Sequence, residues 1–296
     1  MRSSPVALLV RAMRPRQWTK NLLVFAGIIF GERLLDPAAR LQALGAFGVF
    51  CALSSAVYLV NDVRDREADR VHPSKSRRPI ASGDLSVNTA LFAALVLTSI
   101  GLAISLAIGP AFAMIASAYV LLMGWYTLGL KHVVILDVIA LAGGFVLRAA
   151  GGAVAVHVVF SHWLLLLTLL LALFLALSKR RAELVALSDD AHTHRKSLGE
   201  YSPYLLDQMI GVVTASTLLA YAFYTISPET IAKFGTDRLL WTVPFPLYGI
   251  FRYLYLVHRK DGGGNPSDTL WEDRPILVCV ALWGATVIAI LYGPWR

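Results

Sequence analysis

The chain carries run after run of apolar residues of the length, about 20, that a helix needs to cross the roughly 30 Å hydrocarbon core of a bilayer. Read by length and periodicity, spans fall near Trp18–Leu34, Leu41–Val60, Val87–Ile108, Ala111–Leu128, Val133–Ala155, His162–Leu177, Pro203–Ile226, Leu239–Val257 and Pro275–Tyr292. The expected fold is an all-α polytopic membrane protein of nine transmembrane helices, one domain over 1–296, with polar caps near 61–86, 129–132, 178–202 and 258–274. Composition agrees. With 57% hydrophobic and 16% charged residues, neither an ordinary water-soluble domain nor a disordered chain fits. The early stretch PVALLV is short and is followed by Arg11, Arg14 and Arg16 without a small-residue cleavage site, so it does not read as a removed signal peptide.

The formal net charge is +8, but the basic residues sit in short stretches between apolar runs and not on one soluble face. That distribution points to phosphates at a membrane and away from nucleic acid. Lys and Arg crowd the N-terminal segment and the linkers after spans two, four, six and eight, while the other side has only Arg33, Arg40, Lys233, Arg238 and Arg296. The positive-inside rule then predicts N-in/C-out in the cytoplasmic (inner) membrane. Asp and Glu cluster on the same side, so the polar chemistry is expected to face the cytoplasm, where a transporter would have polar groups reaching both sides. Cys51 and Cys279 lie inside apolar runs and read as packing residues, and Gly262–Gly264 as a flexible turn. A homo-oligomer is left open.

The most informative stretch is YLVNDVRDREADRVHPSKSRRPIASG, from Tyr58 to Gly83. If span two continues as helix, Asn61, Asp65 and Asp69 fall at i, i+4 and i+8, and Asp62 lies three residues before Asp65, so all share a face. Packed acids repel unless a cation sits among them, and carboxylate and amide oxygens are the hard ligands that magnesium takes while it also holds phosphates. The plain alternative is a solvated helix end neutralised by Arg64, Arg66 and Arg70. Lys75, Arg77 and Arg78 follow in a loop that Pro73 and Pro79 keep from being continuous helix, and suit a polyphosphate bridging to the acids. Gln17, Lys20 and Asn21 share a face at i, i+3 and i+4, with Arg14 one turn earlier, on a helix just entering the bilayer.

NDVRDREAD followed by HPSKSRRPIASG, together with RPRQWTKN from Arg14 to Asn21, resembles the UbiA-type superfamily of intramembrane prenyltransferases, over the whole chain. The resemblance implies a nine-helix bundle with a lipid-open cavity and magnesium-bound phosphates. It further implies that Asn61, Asp65 and Asp69, with Asp62, are magnesium-site and catalytic residues, and that Lys20 and Arg78 bind phosphate. Tyr126 and Lys131 would add a hydroxyl and an ammonium to the pyrophosphate site.

Aromatic prenyltransferases of the superfamily carry a second acidic motif after the sixth span. Here that region reads LSKRRAELVALSDDAHTHRKSLGEY, with Lys179, Arg180 and Arg181 in place of acids, then Arg195 and Lys196. Asp189 and Asp190 are adjacent and so point to different sides of a helix. A basic second site suits two anionic substrates. That pattern, with KHVVILDVIALAGGFVLRAAGGA and NPSDTLWEDRPI, is similar to the decaprenyl-phosphate phosphoribosyltransferase branch. The branch implies a magnesium-dependent glycosyltransferase that moves 5-phosphoribose from phosphoribosyl pyrophosphate to a polyprenyl phosphate, a step in supplying a cell-wall arabinan precursor. The rival is an aromatic prenyltransferase using a polyprenyl diphosphate. A membrane protein without chemistry is a third possibility, disfavoured by the one-sided polar distribution.

Asp137 and Arg148 share a face of span five but lie about 16 Å apart along its axis, too far to pair. Asp137 is expected to meet a substrate hydroxyl or a cation, and Arg148 to satisfy carbonyls or snorkel outward. Gly143, Gly144, Gly151 and Gly152 read as close helix packing.

Overall fold

The structure, a computed structural model, describes residues 4–72, 75–159, 162–187, 196–259, 269 and 272–293. Among the described residues there is no strand. The chain begins with amphipathic α1 (Pro5–Met13), a 3₁₀ segment (Pro15–Phe25) and the short α2 (Ala26–Phe30). It continues through α3 (Pro37–Arg64), α4 (Arg66–Val71), α5 (Pro79–Ser82), α6 (Val87–Ile108), α7 (Pro110–Leu128) and α8 (Leu136–Ala155). After α9 (His162–Leu187) come α10 (Lys196–Gly199), α11 (Pro203–Ile226), α12 (Pro228–Phe234), a 3₁₀ turn (Arg238–Thr242), α13 (Pro244–Arg259) and α14 (Arg274–Tyr292).

Several helix starts are written as a capping side chain followed by proline, which fixes φ and lacks the N–H that would go unpaired in the first turn. Ser4, Asp36, Ser202 and Ser227 cap α1, α3, α11 and α12 in this way. At α3 the Asp36 carboxylate accepts from the N–H groups of Ala38 (2.9 Å) and Ala39 (3.4 Å). Among the described residues seven helices, α3, α6, α7, α8, α9, α11 and α14, are long and apolar enough to cross a membrane, as a multi-pass membrane protein requires. The expected spans at Trp18–Leu34 and Leu239–Val257 are not single α-helices. The first is 3₁₀ up to Phe25 and α only from Ala26; the second restarts at Pro244, whose ring fits only a first turn.

The chain divides into two compact units, Met1–Lys131 with Gly143–Phe160, and His132–Ala142 with Ser161–Arg296. In the first, α3 packs along α6 and α7, and the Phe50 ring meets Phe112 and Tyr119 edge-on at 5.9 and 5.4 Å. The 3₁₀ segment docks on α3. With three residues per turn, side chains three apart fall in one row. The row Trp18, Asn21, Val24 turns inward: Trp18 Nε1 donates to Ser55 Oγ (3.0 Å), and Asn21 Nδ2 donates to Ser54 Oγ (3.3 Å) and Cys51 Sγ (3.2 Å). Arg14, Gln17 and Lys20 form the neighbouring row.

The same segment touches α8 backbone to backbone. A Cβ placed on Gly152 would lie 2.0 Å from the Val24 carbonyl oxygen, and one on Gly27 would lie 2.6 Å from the Ala153 backbone. Gly152→Ala is therefore expected to destabilise the protein by about 1–3 kcal/mol, because the obstacle is main chain and not a side chain that can rotate away. Gly124→Ala, which meets nothing within 4 Å, should be neutral or mildly stabilising. Unfolding curves of the two variants in the same detergent test the contrast, and equal midpoints would contradict it.

Beside this contact Arg148 is 5% exposed. Its guanidinium donates to Asn21 Oδ1 (2.6 Å), Gly144 O (2.9 Å) and the Tyr119 hydroxyl (2.8 Å), and stacks on the Tyr119 ring at 4.7 Å. In the second unit α9 packs along α11, and Phe174 meets Tyr253 at 5.4 Å.

Candidate active site

α3 ends at Arg64, and Asp65 opens the next short helix. The break does not change register, since Asp65 N donates to Asn61 O (2.9 Å) and Asp69 N to Asp65 O (2.8 Å). Asn61, Asp65 and Asp69 thus stay one turn apart, and Asn61 Nδ2 donates to Asp65 Oδ2 at 3.0 Å.

The cations that meet these acids come from elsewhere in the first unit. Arg14 donates to Asp62 Oδ1; Arg78 donates to Asp62 Oδ1 (3.1 Å) and Asp69 Oδ2 (2.5 Å); Lys131 donates to Asp65 Oδ1. Arg64, Arg66 and Arg70, the local arginines that would make an ordinary solvated helix end, are engaged otherwise. Arg64 donates to Leu128 O, Arg70 to Glu67 and Ala81 O, and Arg66 lies 4.0 Å from Glu67. Cations drawn from three separate segments thus converge on these acids.

The three acids differ in access. The side chains of Asp62 and Asp69 are 2% and 5% exposed, that of Asp65 30%. Burial pushes the Asp69 carboxyl above its ordinary value, against the pull of Arg78 and Lys75. Among the described residues no three acidic, imidazole or thiol groups converge as a closed metal cage. The donor set still suits magnesium, which is usually held by one or two carboxylates plus a substrate's phosphates.

The remaining expected residues separate. Lys75 and Arg77 form a 3₁₀ turn ahead of Arg78, and Gln17 and Lys20 are half-buried in the row begun by Arg14. Asn21 is fully buried, its amide bonded to Arg148, Ser54 and Cys51, so it holds the segment instead of facing a ligand. Tyr126 packs on the Phe50 cluster while Lys131 joins Asp65.

In the second unit Asp137, 0% exposed, accepts from Arg180 Nε (2.6 Å) and the Tyr201 hydroxyl (2.8 Å). The same hydroxyl accepts the N–H of Ile135, a β-branched residue in the left-handed region (φ 68°), at 2.7 Å. Burial pushes the Tyr201 phenol up to about 12, so it remains a proton donor. Arg180, 1% exposed, also donates to Glu183, which lies 3.7 Å from Lys179. Arg181 donates to Asp207, which also meets His258 Nε2 at 3.2 Å. The basic run is thus matched by carboxylates. Glu183 stood three and four residues from Arg180 and Lys179 and was visible as a helical pair; Asp207, Tyr201 and His258 come from distant segments with no local signal. Arg195 lies outside the described residues, as do Asp189, Asp190 and the Gly262–Gly264 turn.

Residues 22–269 match the family described as the UbiA prenyltransferase family. The chain is 35% identical over 297 residues to a decaprenyl-phosphate phosphoribosyltransferase of Corynebacterium glutamicum, covering 96% of this chain and 86% of the relative. It is 33% identical over 302 residues to the protein of the same name from Mycolicibacterium smegmatis, covering 97% and 93%. Its fold is similar to that of a UbiA homolog from Archaeoglobus fulgidus solved with GPP and Mg2+, with a TM-score of 0.76 at 19% identity over 96% of this chain and 99% of the other.

Proposed function

The chain belongs to the UbiA prenyltransferase family, and from that premise we propose that it transfers 5-phosphoribose from phosphoribosyl pyrophosphate to a decaprenyl-type polyprenyl phosphate. Pyrophosphate is released. The observation that carries this reading is near-full-length identity of about a third to relatives named decaprenyl-phosphate phosphoribosyltransferase. It is supported by a region after α9's apolar stretch that is rich in Lys and Arg where an aromatic prenyltransferase would have acids.

The bond that breaks joins C1 of ribose to the pyrophosphate oxygen, and the bond that forms joins C1 to an oxygen of the lipid phosphate. Attack from the face opposite the leaving group inverts C1. A phosphate monoester is already an adequate nucleophile at neutral pH, so no general base is required. Asp65, Asn61 and Asp69 are the residues that would hold magnesium; when bound there, it would neutralise charge on the leaving pyrophosphate. Arg14, Arg78, Lys131 and Lys20 add donors for phosphate oxygens. Two phosphate monoesters also enter the reaction, the donor's 5-phosphate and the lipid head.

We take the whole chain, 1–296, as one UbiA-like domain in the inner membrane, N-in/C-out, with its chemistry facing the cytoplasm. In that reading the two interrupted segments, beginning at Pro15 and at Arg238, also cross the bilayer and bring the crossings to nine.

The test is transfer of label. Purified protein with magnesium, ribose-labelled phosphoribosyl pyrophosphate and a polyprenyl phosphate should move label into the organic phase, and chelation should stop it. Turnover of a prenyl diphosphate with an aromatic acceptor instead would replace this reading with the aromatic prenyltransferase.

A further inference from the structure

Arg148 of α8 is a cation inside an apolar span, 5% exposed, and the bonds it makes go to three neutral oxygens. These are Asn21 Oδ1 (2.6 Å), the Tyr119 hydroxyl (2.8 Å) and Gly144 O (2.9 Å), with the Phe145 ring 5.3 Å away. An ionisable group at membrane depth is costly, and it is kept where it serves a site. Of the three partners only Asn21 lies on the 3₁₀ segment that carries Gln17 and Lys20.

That segment keeps 3₁₀ winding for 11 residues, where runs beyond three or four are uncommon, so side chains must hold it against rewinding as α. At about 120° per residue, Trp18, Asn21 and Val24 stand in line; at the about 100° of an α-helix, Asn21 would swing about 60° and Val24 about 120° away from Trp18. The line is fixed at three points: Trp18 on Ser55, the Asn21 amide between Ser54 and Arg148, and the Val24 main chain against Gly152. The middle point is hydrogen-bonded to α3 and α8 at once. Lys20 directly precedes Asn21, so the direction in which it leaves the helix depends on the same bonds.

We propose that Arg148 is a positioning residue for the reaction: through the Asn21 amide it holds the winding that keeps Lys20 in the row of Gln17 and Arg14, whose first member reaches Asp62. The inference rests on the reading of Lys20 as a donor to pyrophosphate oxygens, and adds the buried group on which its placement depends. Arg148 acts at one remove, since its side chain and that of Asn21, 0% exposed, are both closed off from a ligand.

Pyrophosphate leaves in either transferase reading, so titration calorimetry of the full chain in detergent with magnesium pyrophosphate tests the inference whatever the acceptor. Lys20→Gln is expected to weaken binding by about tenfold, the scale of one charge-assisted bond. Asn21→Ala and Arg148→Met should each do the same, and Asn21→Ala placed on Lys20→Gln should add less than about twofold, because both act on one contact. Tyr119→Phe also takes one hydrogen bond from Arg148 but leaves Asn21 in place. It should lower the melting temperature while keeping affinity within about twofold of the parent. That contrast separates positioning from general support of the fold, and Asn21→Ala, which removes no charge, carries it if Arg148→Met does not fold. Parent-like binding by Asn21→Ala, additive losses with Lys20→Gln, or an equal loss in Tyr119→Phe overturns the inference. Parent-like binding by Lys20→Gln, or no binding by the parent, overturns the assignment of Lys20 and the inference with it. Failed label transfer beside the expected affinities would sink the phosphoribosyl reading alone.

Discussion

Asp65→Ala is expected to lower phosphoribosyl transfer by about 10²–10³-fold or more, the scale of removing one group aimed at developing charge in an active site. Asp65 is more open than Asp62 or Asp69, and it meets both Lys131 and Asn61. Its loss leaves Lys131, 5% exposed, without the carboxylate it faces and removes the most accessible hard oxygen. Because the Asp65 side chain is 30% exposed, the fold should tolerate the change. Initial rates alongside melting curves separate the two effects. A folded variant that keeps a tenth of parental activity would remove Asp65 from the chemistry.

Asp137→Ala should act through stability. It takes from the Arg180 guanidinium, 1% exposed, the fully buried carboxylate that it faces, and takes from Tyr201 the acceptor of its proton. Breaking one side of a buried pair costs about 3–5 kcal/mol, because a charge remains where water cannot reach it. The double variant Asp137→Ala/Arg180→Met should recover part of that loss, since no unmatched charge is left. The measurement is a double-mutant cycle on unfolding free energy. Additive losses would mean that the two side chains do not depend on each other.

The fold was legible where length alone decides. Val87–Ile108 and Pro203–Ile226 are bounded as the apolar runs bound them, and α7, α8 and α14 differ by a few residues at their starts. The interrupted segments were not legible, because hydropathy cannot distinguish α from 3₁₀ winding. The spacing that decides it, Trp18–Asn21–Val24 at intervals of three, acquires meaning only when Ser55, Ser54 and Cys51 of α3 meet that row. At the acidic turn the i, i+4 spacing placed Asn61, Asp65 and Asp69 together, since the backbone bonds persist through the break. Which cations join them depends on chain segments 48 and 66 residues away in the Arg14–Asp62 and Lys131–Asp65 pairs. Local pairing rules pointed instead to Arg64, Arg66 and Arg70. The basic run at Lys179–Arg181 is legible as charge but not as environment, because its carboxylate partners Asp137 and Asp207 stand 43 and 26 residues distant.

The 3₁₀ winding of Pro15–Phe25 also changes how far a short segment reaches. A 3₁₀ helix rises about 2.0 Å per residue where an α-helix rises about 1.5 Å. Sixteen residues from Pro15 to Phe30, wound wholly as α, would extend about 24 Å and stop short of the far side of a hydrocarbon layer of roughly 30 Å. Wound as they are, they extend close to 30 Å. The slimmer helix therefore trades girth for reach, and its narrow waist is also what lets the Val24 main chain lie against Gly152.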